Sequence, residues 1–139
     1  MKNLYRAFIG VTVISLLLFN ACTPEDVIVE DLSVKLTKGS WTFNSVEAGS
    51  DFLNSGYEIT YGGNVLSFSS DGTCTDELLG VNGNGTWSLS GNQDELTLRI
   101  TYDDSDTRNE VWRIISITDT ELRYKFDISP NTLEMTYIQ

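Results

Sequence analysis

Histidine is absent from the 139-residue sequence. That absence removes the commonest general base and most zinc-site chemistries. Basic residues are scarce: nine stand against twenty acidic ones, for a net charge of −11. A surface of that sign repels phosphate backbones, so nucleic acid is not an expected partner. Cysteine occurs only at Cys22 and Cys74. Long apolar runs are missing too. Residues 7–19 form an uncharged run of thirteen, whereas a membrane-spanning helix needs roughly 17–25. After Gly39 no stretch sustains helical periodicity.

Thirteen residues do suit the apolar region of a secretory signal, which runs to about 7–15. Lys2 and Arg6 supply the positive start that such a signal carries. The run ends in Phe19-Asn20-Ala21-Cys22. This ending resembles the lipobox of bacterial lipoproteins, although Phe19 stands where Leu is usual. The resemblance implies a signal peptide over residues 1–21 and a lipid-bearing Cys22 as the first mature residue. The alternative is a plain secreted protein cleaved after Ala21. One acyl chain binds a membrane only marginally and several bind it stably; the family's processed cysteine carries three. Thr23 is not the Asp of the inner-membrane retention signal. Glu25 and Asp26 resemble the acidic export signal of surface-exposed lipoproteins. An outer-membrane lipoprotein is therefore expected, on the periplasmic face or, preferentially, on the cell surface.

Removing residues 1–21 leaves 118 residues and takes away Lys2 and Arg6, so the net charge falls to −13. With Cys22 committed to lipid, Cys74 has no disulfide partner. Within Thr73-Cys74-Thr75 it reads as a small packing residue. Residues 22–36 read as an acidic tether, in which 31–38 can make one helical turn. The domain proper is expected over 37–139.

That domain shows short alternating segments parted by turn residues, the pattern of an antiparallel sandwich or barrel. Strands are expected at 40–47, 57–61, 64–69, 73–79, 85–90, 95–102, 110–118, 121–127 and 132–138. Asp71-Gly72 is a hairpin signal, and Asn-Gly repeats precede residue 86. Leu96, Leu98, Ile100 and Tyr102 share one face, as do Leu122, Tyr124 and Phe126, and then Leu133, Met135 and Tyr137. Such alternation leaves one wet face per strand, and about eight such strands can close into a barrel without an open edge. The segment 110–118 departs from it. Val111, Ile115 and Ile117 lie on one face, Trp112 and Ile114 on the other. Either the N-terminal segment covers the outer face there, or Trp112 belongs to an exposed contact patch.

Gly39-Ser40-Trp41 resembles the GxW motif of lipocalins. Leu66-Ser-Phe-Ser-Ser-Asp-Gly-Thr73, Gly85-Thr-Trp-Ser-Leu89, Leu96-Thr-Leu98 and Ile117-Thr-Asp-Thr-Glu-Leu122 follow in an order similar to the lipocalin-like domain of short bacterial lipoproteins. The resemblance implies an all-β, eight-stranded up-and-down barrel across nearly the whole mature chain. By analogy it implies a small apolar ligand, although fold alone does not carry function.

A barrel of eight strands is just wide enough to be filled by side chains or to hold one small ligand. Phe43, Phe68, Trp87, Leu98, Ile100, Tyr124, Phe126 and Met135 are the candidates to line it, or simply to fill it. Asp103, Asp104, Asp106 and Glu110 cluster in 103–110, an oxygen-rich stretch of the kind that can hold Ca²⁺. It lacks the central Gly and twelve-residue spacing of an EF-hand, and reads as a solvated hairpin loop with no metal. Asp76 and Glu77 are adjacent, so in a strand they point to opposite faces. No catalytic constellation results; neither an enzyme nor a cofactor is expected. The rival to ligand binding is an accessory role in a cell-surface complex. Its contacts would be an outer-membrane protein partner engaged by loops 48–56 and 103–109 with Trp112.

Overall fold

The computed structural model describes residues 31–139. The expected signal peptide, Cys22 and residues 22–30 of the tether lie outside the described residues. Two helices and eight strands follow: α1 Leu32–Leu36, β1 Ser40–Glu47, α2 Asp51–Tyr61, β2 Val65–Phe68, β3 Thr73–Leu78, β4 Val81–Leu89, β5 Glu95–Tyr102, β6 Thr107–Ile117, β7 Glu121–Ile128 and β8 Asn131–Ile138. Each strand pairs antiparallel with its successor, and β8 closes on β1. This is the all-β, eight-stranded up-and-down barrel that the lipocalin-like resemblance implies; the alternation alone left a sandwich open.

The helical turn at the N-terminus belongs to the domain. Asp31 caps α1 by accepting from Ser33 N at 2.9 Å. Leu36 is fully buried, and its carbonyl accepts from Trp41 Nε1 at 2.9 Å. Trp41 is itself fully buried. Its indole thus satisfies a carbonyl that a helix end otherwise leaves orphaned. Leu32 N donates to Gln93 Oε1 at 2.8 Å, and Lys35 Nζ reaches Ile117 O at 3.4 Å. The compact unit accordingly begins at Asp31, six residues before the expected boundary.

The expected strand at 57–61 is instead the end of α2. Tyr57, Ile59 and Tyr61 alternate like a strand, but Leu53, Tyr57 and Tyr61 also recur every four residues, the spacing of one helix face. Capping decides between the two. Ser50 has extended backbone and its hydroxyl accepts from Leu53 N at 3.3 Å, and Asp51 in the first turn favours the helix dipole. Leu53, Tyr57 and Tyr61 pack against the core at one end of the barrel, with Phe43 and Tyr61 rings 6.1 Å apart. The chain therefore enters β1 at the Trp41 end and crosses the other end in α2.

Strand β4 begins at Val81, not at 85. The turn is Leu79-Gly80, both at positive φ, joining Leu78 to Val81, and the Asn-Gly repeats lie inside the strand. Its glycines are there for room. A Cβ on Gly83 would stand 2.6 Å from Ile100 Cγ2 and 2.8 Å from the Tyr102 ring; one on Gly85 would stand 2.1 Å from Arg99 O. Atoms of the paired strand β5 occupy the space that these side chains would need.

The irregular segment 110–118 is explained by a β-bulge. The β6–β7 register slips between Ile114 and Ser116. Arg108, Glu110, Trp112 and Ile114 face inward before it, and Ile117 faces inward after it. Trp112 is fully buried, so it forms no exposed patch and needs no covering segment.

The Gly85 contact is with backbone, which cannot rotate away. Gly85→Ala should therefore lower unfolding stability by about 3 kcal/mol or more. Gly91→Ala, with nothing within 4 Å of the new Cβ, should change it little. Urea midpoints of the two variants check this; equal midpoints would refute the close approach.

Candidate functional site

At the α2 end the barrel interior holds a charged cluster. Arg108 and Glu110 alternate along β6, so both point inward. Asp76 does the same from β3, while Glu77 faces out, as their adjacency requires. Leu66, Asp76, Gly83 and Tyr102 form one register row across β2 to β5. Because Gly83 has no side chain, the Tyr102 ring lies across it and its hydroxyl donates to Asp76 Oδ2. Asn64 Nδ2 donates to Asp76 Oδ1 and to Glu77 O, the latter at 2.8 Å. The Tyr137 hydroxyl donates to Asn64 Oδ1 at 2.6 Å.

Arg108 joins the two acids. Its Nη2 lies 3.0 Å from Asp76 Oδ2 and its Nε 3.2 Å from Glu110 Oε1. The latter contact is an ion pair without hydrogen-bond alignment. Among the described residues neither Nε nor Nη1 has a hydrogen-bond acceptor. Glu110 Oε2 accepts from Trp112 Nε1 at 2.6 Å, and the Trp112 ring stacks on Tyr124 at 3.8 Å. Two carboxyl groups thus share one guanidinium, for a formal charge of −1.

Burial sets the protonation states. It pushes the Glu110 carboxyl above the ordinary glutamate value, against the opposing pull of Arg108 and of the Trp112 hydrogen bond. Burial disfavours the Arg108 charge, yet Glu110 and Asp76 outweigh it and hold the guanidinium protonated. Tyr61 is pushed up to about 12, chiefly by burial and then by Glu110. Burial also raises Tyr102, Tyr124 and Tyr137. The tyrosines are therefore neutral hydroxyls at physiological pH. The Cys74 thiol, pushed up to about 11 by burial and then by Asp76, is a protonated packing group and not a thiolate nucleophile.

The cluster lies beside an opening in the barrel wall. Pairing of β6 with β7 runs from Ile117–Leu122 to Arg113–Lys125 and stops there. Beyond it lies a cavity of about 540 Å³ lined by Thr107 to Val111 and by Phe126, Asp127 and Ile128. The side chains of Arg108, Glu110 and Phe126 face its inner side. Backbone direction alternates along an antiparallel strand. Ile114 N donates to Asp94 O on the β5 side. Hence Thr107, Asn109 and Val111 turn their N–H and C=O groups toward β7, into the slot, and Asp127 faces them from the other wall.

All eight aromatic and aliphatic candidates face the interior. Leu98, Ile100, Tyr124 and Met135 are almost fully buried, Phe68 and Phe126 nearly so, and Phe43 and Trp87 partly. Most pack on one another: Phe68 meets Trp87 edge-on at 5.7 Å, and Phe43 meets Tyr137 likewise. Phe126 also reaches the slot. Sequence reasoning missed Asn64, Asp76, Tyr102, Arg108 and Glu110 as a set. It placed Glu110 in a solvated loop, whereas β6 already begins at Thr107 and turns Glu110 inward, leaving Asp103, Asp104 and Asp106 exposed in the turn. Nor is 48–56 a free loop, since α2 starts at Asp51. The alternation Arg108, Glu110, Trp112 was the available signal. Among the described residues no group of three or more acidic or cysteine side chains is placed to hold a metal.

Removing the guanidinium leaves two buried carboxyls uncompensated. Arg108→Met should cost about 3–5 kcal/mol. For Glu110 the sign follows from its raised value. Its contribution to stability is complete below the unfolded value of 4.5 and is lost as pH rises through the folded one. The stability of wild type relative to Glu110→Gln should therefore fall as pH rises above 4.5. Denaturant midpoints across that range check it, and parallel profiles would refute it.

Comparison with known proteins agrees with this architecture. A family model described as Lipocalin-like domain matches residues 35–124. No curated protein matches the chain. Among solved structures, a DUF4847 family protein from Bacteroides vulgatus ATCC 8482 superposes with a TM-score of 0.52 at 11% identity, covering 78% of this chain and 96% of that one. At that identity the likeness is one of fold. The family match spans well over half of the chain and includes Trp41 and strands β1 to β6 with the start of β7, so the chain belongs to the lipocalin-like domain family.

Proposed function

We propose that this is a membrane-anchored binding protein whose barrel takes up a small, partly apolar ligand through the slot between β6 and β7. The observation that carries the reading is the placement of the Arg108–Glu110 pair beside that slot, with guanidinium N–H groups that have no acceptor among the described residues. Buried donors without acceptors are costly, and a bound ligand would supply one. Phe126 and Ile128 offer apolar surface next to it. The packed remainder of the core limits such a ligand to the slot and the mouth of the barrel. In this reading acyl chains on Cys22 hold the domain at the outer membrane, on its cell-surface face. That removes any need for a basic patch on so acidic a protein.

A second reading rests on α2. Phe52 and Ile59 are 87% and 78% exposed and border an apolar groove of about 390 Å³ with Leu53 and Tyr57. Exposed apolar surface of this kind suits a protein contact. It supports the accessory-module alternative.

Full-length protein extracted from its host membranes and measured by native mass spectrometry should carry a low-mass adduct, and Ile128→Trp, which fills the slot mouth, should lose it. Cys22→Ala should leave the membrane fraction. An adduct unaffected by Ile128→Trp, or no adduct at all, would contradict the slot reading. A co-purified protein lost on Phe52→Asp would instead favour the contact role of α2.

A further inference from the structure

The slot has two kinds of lining, and together they restrict the chemistry of what it holds. Its walls are strand edges. Thr107, Asn109 and Val111 on one side and Asp127 on the other present backbone N–H and C=O groups in the alternation fixed by the Ile114–Asp94 bond. The backbone of such edges is uncharged and carries donors and acceptors in equal number, and the Asp127 carboxylate on that wall is paired with Arg113 at 3.1 Å. The inner side carries Arg108 and Glu110, with Asp76 behind them. The guanidinium already balances one carboxylate of two, and its Nε and Nη1 groups still lack an acceptor among the described residues.

Three classes of head group can be weighed against that lining. A carboxylate or phosphate would accept from Arg108, but it would bring a second uncompensated negative charge beside Asp76 and Glu110. In a site of low dielectric that repulsion is strong. An ammonium would be drawn to the carboxyls, yet it has only donors. It would leave the guanidinium unpartnered and set a second cation against it. A neutral amide or hydroxyl group meets both demands. Its oxygen accepts from Arg108, its N–H or O–H donates to Glu110 or to a wall carbonyl, and it adds no charge.

Resting on the slot reading above, we propose that the ligand is a neutral amphiphile, with an amide- or hydroxyl-bearing head at Arg108 and Glu110 and a short apolar part against Phe126 and Ile128. The pre-neutralised arginine is then a specificity element that turns fatty-acid anions away. Charge selection of this kind follows from an introduced repulsion as much as from attraction.

The test uses full-length protein in neutral phospholipid nanodiscs, with empty nanodiscs as reference. Octanamide, octanoate and octylamine share one chain and differ only in the head. Isothermal titration at pH 7.5 should show octanamide binding at least tenfold tighter than either charged probe. In Glu110→Gln, which makes the inner side neutral, octanoate should gain at least tenfold. Octanoate or octylamine binding as tightly as octanamide in wild type would overturn the proposal, and so would an octanoate affinity unmoved by Glu110→Gln. The wild-type comparison stands even if the variant is poorly folded. If none of the probes binds while the host-derived adduct is retained, the proposed class is wrong and the slot reading survives. If probes and adduct are both absent, both are wrong.

Discussion

The guanidinium of Arg108 holds two carboxyl groups inside a barrel that otherwise excludes charge, and the architecture of the α2 end follows from that requirement. Asp76 needs more partners than one arginine offers. Asn64 and Tyr102 supply them. Tyr102 reaches Asp76 only because Gly83 leaves the space between them empty. Glu110 needs a hydrogen-bond donor besides its ion pair with Arg108, and the Trp112 indole provides it while stacking on Tyr124. A buried ion set of this kind stabilises little by itself, since desolvation offsets the attraction between its members. Its members are costly to remove singly.

The two ends of the barrel divide the labour. At one end Trp41 is fully buried in the interior and its indole closes α1. At the other, β6 and β7 part company beyond Arg113–Lys125 and α2 crosses the opening. The bulge at Ile114–Ser116 connects the two regimes. It restores inward packing for Ile117 near α1 while setting the phase that turns Arg108, Glu110 and Trp112 inward. One extra residue in one strand thus serves both the core and the site.

Much of the fold is legible in the sequence because period-two alternation is clean in β5, β7 and β8. Leu96 to Tyr102, Leu122 to Phe126 and Leu133 to Tyr137 each declare a buried face. The misreadings have physical causes. Tyr57, Ile59 and Tyr61 fit both a strand and a helix, and only the Ser50 cap separates the two. The Asn-Gly repeats resemble turns, but Gly83 and Gly85 serve close strand approach. The site was least legible. Charged residues in Thr107 to Glu110 read as a solvated turn unless Asp76, far away in sequence, is known to stand opposite. No local pattern carries that partnership; it arises from barrel closure.

Ligand entry depends most on the β6–β7 seam being open. Amide hydrogen exchange, followed residue by residue, reads this directly. Glu110 and Trp112, bonded toward β5, and Arg113, paired with Lys125, should be protected. Thr107, Asn109, Val111 and Asp127 should exchange rapidly in ligand-free protein. Strong protection at Val111 and Asp127 in that protein would mean a sealed wall, and would contradict the slot on which the functional reading rests.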